Sequence, residues 1–157
     1  MAGGWEAVGG GAVGSGGIAV GTVIGSGGIA VGTVVDSGGT EGVAFGGTTI
    51  GTSVNAYGYQ LVAFGGTASG TSIFFGDQDI YSGKAVATTI SIGGDQNIYS
   101  GGKALGTTVN GGAQDIHDGG KAVTTTVNGY SSQNVYLPNL RASHSMPTAR
   151  LTCCSSP

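Results

Sequence analysis

The chain has 157 residues, of which 35 are glycine, 8% are charged and 7% are aromatic, and its formal net charge is -3. The chain lacks the excess of positive charge that is typical of nucleic-acid-binding proteins. Glycine interrupts every apolar stretch before it reaches the roughly 18 residues that a membrane-spanning helix needs. Hydrophobic residues still reach 39% and include many β-branched ones, so the composition predicts many short strands between glycine corners.

The chain begins with a glycine-rich lead-in over residues 1–16, followed by a degenerate start of a repeat region over residues 17–46. The lead-in shows neither the positive n-region nor the apolar h-region of a secretory signal. The run Gly-Ile-Ala-Val-Gly-Thr-Val occurs at Gly17 and again at Gly28, only 11 residues later. The first unit is therefore expected to be shortened.

A repeat of 17–19 residues becomes clear from about residue 47 and continues to residue 136. Each unit opens with a glycine, and the spacings between successive opening glycines are 19, 19, 17, 19 and 18 residues. These glycines are Gly28, Gly47, Gly66, Gly83, Gly102 and Gly120. A fixed period near 20 residues is typical of a solenoid, in which each unit packs on its neighbours.

Aligned on these glycines, the units place chemically similar residues in four columns. The threonine column holds Thr33, Thr52, Thr71, Thr88, Thr107 and Thr125. Two residues later, a β-branched column holds Val35, Val54, Ile73, Ile90, Val109 and Val127. After the next glycine corner, the amide column holds Glu41, Gln60, Gln78, Gln96, Gln114 and Gln133. A second apolar column holds Val43, Val62, Ile80, Ile98, Ile116 and Val135. Within each segment the period is two, which indicates strands.

Stacking these units at about 4.8 Å would bury the apolar columns continuously and pair like strands in parallel. The sequence therefore predicts an all-β fold, a right-handed single-stranded parallel β-helix with about 18–19 residues per rung. Glutamine side chains in one column are expected to form an amide ladder, as they do in cross-β arrays. Lys84, Lys103 and Lys121 share another column, and their like charges must point into solvent.

The last segment, residues 137–157, differs in composition from the repeats. It holds all three prolines, both cysteines and both arginines, and no glycine. We expect a non-repetitive, disordered tail, and a broken reading frame in a longer repeat protein is one hypothesis for its origin. Cys153 and Cys154 are adjacent and poorly placed to bridge each other, so no role is assigned to them.

Residues suited to catalysis or metal binding do not form a convincing constellation. His117 occupies a repeat position held elsewhere by Tyr81, Tyr99 and Ala63, which indicates a surface residue. The aspartates near the glycine corners lack the nine-residue spacing of calcium β-rolls. The glycine motifs lack the strand-then-helix context of a phosphate loop. We therefore predict no catalytic, cofactor-binding or metal-binding residues, and no enzyme activity.

One group of aromatic residues, Tyr57, Tyr59, Phe74 and Phe75, is expected to be the only aromatic cluster of the repeat region. It is expected to pack along one corner of the helix. An exposed contact patch for a partner surface is the alternative.

The pattern Gly-Gly-Lys-Ala-x-x-Thr-x-Val-x-x-Gly-x-Gln-x-Ile at residues 101–116, with a substituted copy at 119–135, resembles the passenger repeat of AIDA-type autotransporter adhesins. The resemblance covers residues 17–136. It implies a β-helix displayed on the bacterial outer membrane, which mediates adhesion or autoaggregation through self-association, host-surface or glycan contacts. In that family, sugars are carried on Ser or Thr. The family's export signal and translocator barrel are not recognised in this sequence, so we expect a truncated fragment.

Two other readings remain open. A glycine-rich elastin- or silk-like material protein is suggested by the Val-Gly and Gly-Gly steps between Ala7 and Val35, although such a protein needs neither a fixed period nor an amide column. A polysaccharide-cleaving β-helix enzyme would share the fold but would need clustered acids or bases on one face. No arginine precedes Arg141, and the acids are spread among the units.

Overall fold

The computed structural model describes residues 21–136, and in addition the backbone of three short strands at Glu6–Gly9, Ala12–Val13 and Arg150–Leu151. Every regular element among these residues is a β-strand. No helix in the described part is long and apolar enough to cross a membrane. Apart from the strand at Arg150–Leu151, the prediction of a disordered tail over residues 137–157 concerns residues outside this part, as does the prediction for the remainder of the lead-in.

The strands are short, and glycine-containing corners separate them. In chain order they are β1 (Glu6–Gly9), β2 (Ala12–Val13), β3 (Thr22–Gly25), β4 (Ile29–Val31), β5 (Val34–Val35), β6 (Thr40–Val43), β7 (Thr48–Ile50), β8 (Ser53–Val54), β9 (Tyr59–Val62), β10 (Thr67–Ser69), β11 (Ser72–Ile73), β12 (Asp77–Ile80), β13 (Lys84–Val86), β14 (Thr89–Ile90), β15 (Asp95–Ile98), β16 (Lys103–Leu105), β17 (Thr108–Asn110), β18 (Ala113–Ile116), β19 (Lys121–Val123), β20 (Thr126–Asn128), β21 (Ser132–Val135) and β22 (Arg150–Leu151).

These strands form three sheets, because every third strand pairs with the equivalent strand of the next turn. The first sheet has the order β1-β3-β6-β9-β12-β15-β18-β21-β22, the second β19-β16-β13-β10-β7-β4-β2, and the third β20-β17-β14-β11-β8-β5. All pairings are parallel except the antiparallel contact of β22 with β21. We number the rungs by their three strands, so that rung 1 is β3–β5, rung 4 is β12–β14 and rung 6 is β18–β20.

The register confirms the parallel β-helix and the alignment of the repeats. Gln78 pairs with Gln60 on one side and with Gln96 on the other, and successive members of this column are 18 or 19 residues apart. The degenerate region also enters the ladder, since Thr22 pairs with Glu41. Parallel pairing reaches back into the lead-in, where β1 joins β3 and β2 joins β4.

The core lies between the three sheets and consists of stacked files rather than one cluster. The third sheet contributes one file, Val35, Val54, Ile73, Ile90 and Val109, all fully buried, with Val127 packed against its end. A second file combines first-sheet Val or Ile with second-sheet Ala: Val62, Ala68, Ile80, Ala85, Ile98 and Ala104, joined by Ile116 and Ala122. The predicted inside positions are therefore confirmed as far as Val109 and Ile98, whereas Val135 at the C-terminal end of its column is 42% exposed.

Glycine is required at corners where successive rungs touch backbone to backbone. A Cβ added to Gly66 would collide with the carbonyl oxygen of Val43, and one added to Gly58 would collide with that of Val35. Aromatic residues nevertheless occupy some left-handed corner positions: Phe45, Tyr57 and Phe75 have φ values of 49°, 61° and 51°. Contacts between rungs thus hold the corners in the left-handed conformation even where the residue has a side chain that disfavours a positive φ.

Candidate functional surface

The interior of the solenoid contains the predicted amide ladder. Each glutamine donates from Nε2 to the side-chain oxygen of the preceding rung, as in Gln78 to Gln60 at 2.5 Å and Gln96 to Gln78 at 2.6 Å. The column runs unbroken from Gln133 to Glu41. From Glu41 to Gln114 its members are completely buried. The ladder is therefore a structural element and no ligand reaches it.

The threonine column supplies the second hydrogen bond that each amide oxygen needs. Thr71 donates to Gln60 at 3.2 Å, and Thr107 donates to Gln96 at 3.1 Å. The same contact recurs at Thr88 and Thr125. Each buried Oε1 thus accepts two hydrogen bonds, which satisfies the polar file inside an otherwise apolar core.

Glu41 is the acceptor at the N-terminal end of the ladder. Its Oε2 accepts hydrogen bonds from Gln60 at 2.5 Å and from Thr52 at 3.1 Å, while its Oε1 is buried without a partner among the described residues. Burial raises the pKa of the Glu41 carboxyl above its ordinary value, and the hydrogen bonds oppose that shift only in part. Desolvation of the carboxylate is the cause of the upward shift.

The outer face of the first sheet carries a column of acids and amides. In this column Asp79, Asn97, Asp115 and Asn134 pair in register. Asn97 donates to Asp79 at 3.0 Å and Asn134 donates to Asp115 at 2.7 Å. The alternation separates like charges on adjacent rungs, which would repel one another.

The neighbouring column of the same face lacks this compensation. Asp77 and Asp95 are directly paired on adjacent rungs and exposed. Partial burial, followed by the charge of Asp79, raises the pKa of Asp77. Partial burial, followed by the charges of Asp77 and Asp115, raises the pKa of Asp95. This part of the face is a concentration of negative charge.

An aromatic stack follows the first sheet at its corner with the second. Tyr81 and Tyr99 are parallel with ring centroids 4.2 Å apart, His117 stacks on Tyr99 at 4.4 Å, and Tyr136 stacks on His117 at 5.0 Å. Because the ring faces cover one another, mainly ring edges point outward. Burial and the Asp79 carboxylate raise the pKa of Tyr99 to about 12.

This stack corrects the prediction of a single aromatic cluster in the repeat region. Tyr57, Phe74 and Phe75 lie at the corner between the third and first sheets, where Phe74 and Phe75 meet edge to face at 4.8 Å. Tyr59 lies instead on the first sheet, where its hydroxyl donates to Asp79 at 2.9 Å. The missed stack was visible in the alignment as the column of Tyr81, Tyr99 and His117, but only the rung spacing brings their rings face to face.

The outer face of the second sheet carries the predicted lysine column. Lys84 pairs in register with Lys103, and Lys103 with Lys121. All three side chains are exposed. No ion pair joins them to a carboxylate within residues 21–136. These are the only cationic side chains of residues 21–136, so the whole positive charge of this part lies on one face of rungs 4–6.

The corner between the third and first sheets forms an exposed apolar ridge. Tyr57 is 81% exposed and Ile92 is 59% exposed, and the ring of Phe75 lies over Gly93 of the next rung. Farther along, glycines replace the large side chains and leave an open recess of about 430 Å³ lined by Ile92, Asn110, Gly111, Asn128, Gly129 and Tyr130. Apolar and polar surfaces thus alternate around the solenoid.

His, Cys, Asp and Glu residues do not form a metal-binding group on the described surfaces. Within the described part of the chain, no three His, Cys, Asp or Glu residues are close enough to hold a metal ion. His117 is sandwiched between Tyr99 and Tyr136. His144, Cys153 and Cys154 lie outside the described residues. The candidate functional feature is therefore the set of outer columns.

Comparison with known proteins gives a limited result. No protein-family model matches the chain, and no curated protein matches it. Among solved structures, the chain is similar to a crystallised fragment of TibA that was hyper-glycosylated by TibC. The sequences are 24% identical, the match covers 88% of this chain and 73% of that chain, and the TM-score is 0.42. At this level of similarity the comparison supports no conclusion about function. The proposal below therefore depends on the outer columns of the solenoid.

Proposed function

We propose that the chain is a passenger segment of a bacterial surface adhesin, which mediates adhesion or autoaggregation through its solenoid faces and has no catalytic role. The observation that carries the proposal is the in-register repetition of exposed side chains: lysine over lysine, acid over acid or amide, and aromatic over aromatic. Such columns repeat one type of side chain on two to four successive rungs of the solenoid.

Repetition is the property that a weak contact surface needs. A single exposed ion pair or hydrogen bond contributes about 0–1 kcal/mol. Many equivalent contacts on one rod, and many rods on one cell, raise the effective concentration of each further contact. The resemblance of the repeats at residues 101–135 to AIDA-type passengers supports the same role and a position at the cell surface.

The arrangement of polar groups supports a non-enzymatic role. Asp77, Asp79, Asp95 and Asp115 lie on the first sheet, whereas the three lysines of the same rungs lie on the second. Asp79 and Asp115 already accept hydrogen bonds from neighbouring amides. A polysaccharide-cleaving site would need two carboxyl groups facing one bond across a cleft. An elastomeric material would not need the fixed register of the amide ladder.

Surface display of the full chain tests this function. The chain would be fused between an export signal and an unrelated translocator in a non-aggregating bacterium, and cell settling and attachment to epithelial monolayers would be measured. The control strain displays the Ile98→Asp variant, whose apolar core is disrupted, at the same surface level. We expect cells that display the wild-type chain to settle faster or attach in greater number than this control. Equal behaviour of the two strains, or release of reducing sugar ends from polysaccharides by the purified chain, would overturn the proposal.

A further inference from the structure

The second sheet carries an apolar column on its outer face, beside the lysine column. The members of this apolar column pair in register through rungs 1–6, and all but one of them are apolar: Val31, Ile50, Ser69, Val86, Leu105 and Val123. Val31, Ile50 and Val123 are exposed, and Val86 and Leu105 are half-buried. The outer face of the second sheet therefore presents an apolar strip about 24 Å long.

In rungs 1–3 larger apolar side chains flank this strip. Ile29, which begins the second-sheet strand of rung 1, is exposed. Phe45 and Phe64 lie in rungs 2 and 3 at the corner that leads into the second sheet, where the Phe45 backbone N–H donates to the Phe64 carbonyl oxygen at 2.8 Å. Their side chains are 70% and 69% exposed. Exposed apolar side chains that adjoin one another in this way mark a contact surface.

Charges are segregated around the solenoid. The three lysines, the only cationic side chains of residues 21–136, all belong to this face. The exposed acids of the first sheet point from a different side, and Glu41 is buried. Asp118, at the corner before Lys121, is the only acid of this part that borders the lysine column. Because exposed charges are screened over about 8 Å at physiological salt, the first-sheet acids act weakly on a surface that touches the lysines.

We propose that the outer face of the second sheet binds flat on an anionic phospholipid bilayer. Phe45, Phe64 and the apolar strip enter the interfacial region, and the lysines of rungs 4–6 bind the phosphate groups. A lysine stem packs along apolar surface while its ammonium group reaches a polar one. This inference goes beyond the adhesive role proposed above, since cells that display the chain settle on one another without any exposed lipid.

A bilayer is the partner that satisfies both halves of the face. The lysines alone would suit any polyanion, but a soluble polyanion offers no apolar environment for Phe45 and Phe64. A protein partner would need pockets that match these side chains, whereas the bilayer interface accepts them at any spacing. Interfacial binding depends on buried apolar area together with attraction to anionic lipids, and the second sheet supplies both on one face.

The purified full chain tests the lysine half by sedimentation with large phosphatidylcholine vesicles that contain about 30% phosphatidylglycerol. Lys84→Gln/Lys103→Gln/Lys121→Gln should lower the partition coefficient about 100-fold, since each lysine near an anionic leaflet contributes about fivefold. Ser72→Glu/Thr108→Glu/Thr126→Glu makes the same change in net charge on the third sheet and should have a much smaller effect. Circular dichroism would establish that each variant is folded.

The acids provide a matched pair of opposite sign. Asp118→Asn removes the acid beside the lysine column and should raise the partition coefficient about fivefold. Asp77→Asn makes the same change on the first sheet and should alter it less than about twofold.

The apolar half is tested with Phe45→Ser/Phe64→Ser. Serine is compatible with this corner, because Ser26 and Ser82 already adopt positive φ there. We expect partitioning to fall about tenfold or more, since two exposed rings no longer enter the interface. Tyr57→Ser/Ile92→Ser, which removes two exposed apolar side chains from the corner between the third and first sheets, should bind like the wild type.

Two exposed isoleucines report the orientation of the bound chain. In bicelles of the same lipids with doxyl-labelled phosphatidylcholine, the methyl NMR signals of Ile50 on the second sheet should broaden, whereas those of Ile92 on the other corner should not. Equal broadening of both residues would overturn the proposed orientation.

The inference fails if the wild-type chain does not bind the anionic vesicles at low salt, or if it binds pure phosphatidylcholine vesicles equally well. It also fails if binding survives the lysine-to-glutamine changes. Vesicle binding that is unaffected by Phe45→Ser/Phe64→Ser, together with retention of the chain on dextran sulfate, would assign the lysines to a soluble polyanion instead. Each of these results leaves the settling assay of the proposed function untouched.

Discussion

Rung 2 and the rungs that follow it are built from the same repeat but differ in their buried polar residues. Rungs 3–5 place Gln in the amide column and Ala on the second sheet, and their apolar file is continuous. Rung 2 has Glu41 and Thr49 at these two positions, both completely buried. The apolar file is interrupted there, and Ile24, Ala30 and Val43 form a separate cluster.

The difference follows from the direction of the ladder. A glutamine in the middle both donates to the preceding rung and accepts from the following one, so it can be repeated without limit. Glu41 only has to accept, from Gln60 and Thr52, because the preceding position is Thr22. Thr49 adds a hydroxyl at 3.5 Å from the same carboxyl oxygen. The column tolerates an acid at its terminus, where a donor is no longer required.

The largest expected effect comes from breaking the apolar file itself. Ile98→Asp puts a carboxyl group into a fully buried position among alanine and isoleucine side chains. We expect the free energy of unfolding to fall by more than about 4 kcal/mol, since packing is lost and a charge is desolvated.

Lys103→Ala is the matched control for that substitution, because Lys103 lies in the same region but is exposed. We expect its effect to stay within about 0.5 kcal/mol. Urea denaturation of both variants measures the difference. Equal midpoints would contradict the assignment of inside and outside faces.

A smaller effect is expected from removing one amide in the middle of the ladder. Gln78→Leu leaves Gln96 Nε2 and the Thr88 hydroxyl without their acceptor. We expect a loss of about 3 kcal/mol, because two buried donors become unsatisfied.

Gln133→Leu at the open end of the ladder should cost less than about 1 kcal/mol, since it removes a single donor from a half-buried position. Thermal melts of the two variants, compared with the wild type, test the directionality of the ladder. A larger loss for Gln133→Leu would show that the ladder does not stabilise the middle rungs.

Glu41→Gln should change how stability depends on pH. The pKa of Glu41 is raised in the folded chain from an ordinary value of 4.5, so its contribution is full below that value and is lost as the pH rises through the folded pKa. Glutamine does not ionise and keeps an acceptor oxygen for Gln60. We therefore expect the variant to be more stable than the wild type by about 1–2 kcal/mol at neutral pH and equal to it near pH 4.

Unfolding curves at several pH values measure this difference. Asp77 and Asp95, whose pKa values are also raised, change the free energy of unfolding of both proteins in the same way. The difference between the two proteins at each pH therefore reports the contribution of Glu41. A difference between the two proteins that does not vary with pH would mean that Glu41 is not titrating in this range.

The smallest effect is expected on the outside, in the aromatic stack. Tyr99→Leu retains an apolar side chain but removes the ring that contacts both Tyr81 and His117. We expect a loss of about 1 kcal/mol. Phe64→Leu, at an exposed corner, should have almost no effect. Identical melting temperatures for the two variants would indicate that the stacked rings do not stabilise the rungs.

The sequence by itself determined the repeat and therefore most of the fold. Columns such as Gln60, Gln78 and Gln96 are chemically uniform and evenly spaced, and only stacking in register buries or pairs all of them at once. The same argument placed Val54, Ile73 and Ile90 inside and the lysines outside. Periodicity carries this information because each rung repeats the environment of the one before.

The contacts between different columns were determined only by the tertiary structure. The three-sheet cross-section brings Thr71 to Gln60 and Thr107 to Gln96, contacts that span 11 residues and have no sequence period of their own. Rung spacing turns Tyr81, Tyr99 and His117 into a stack of covered rings, whereas the apparent cluster around Tyr59 is divided between two surfaces. Sequence spacing fixes which residues are equivalent, but the positions of the corners fix which columns touch and which face solvent.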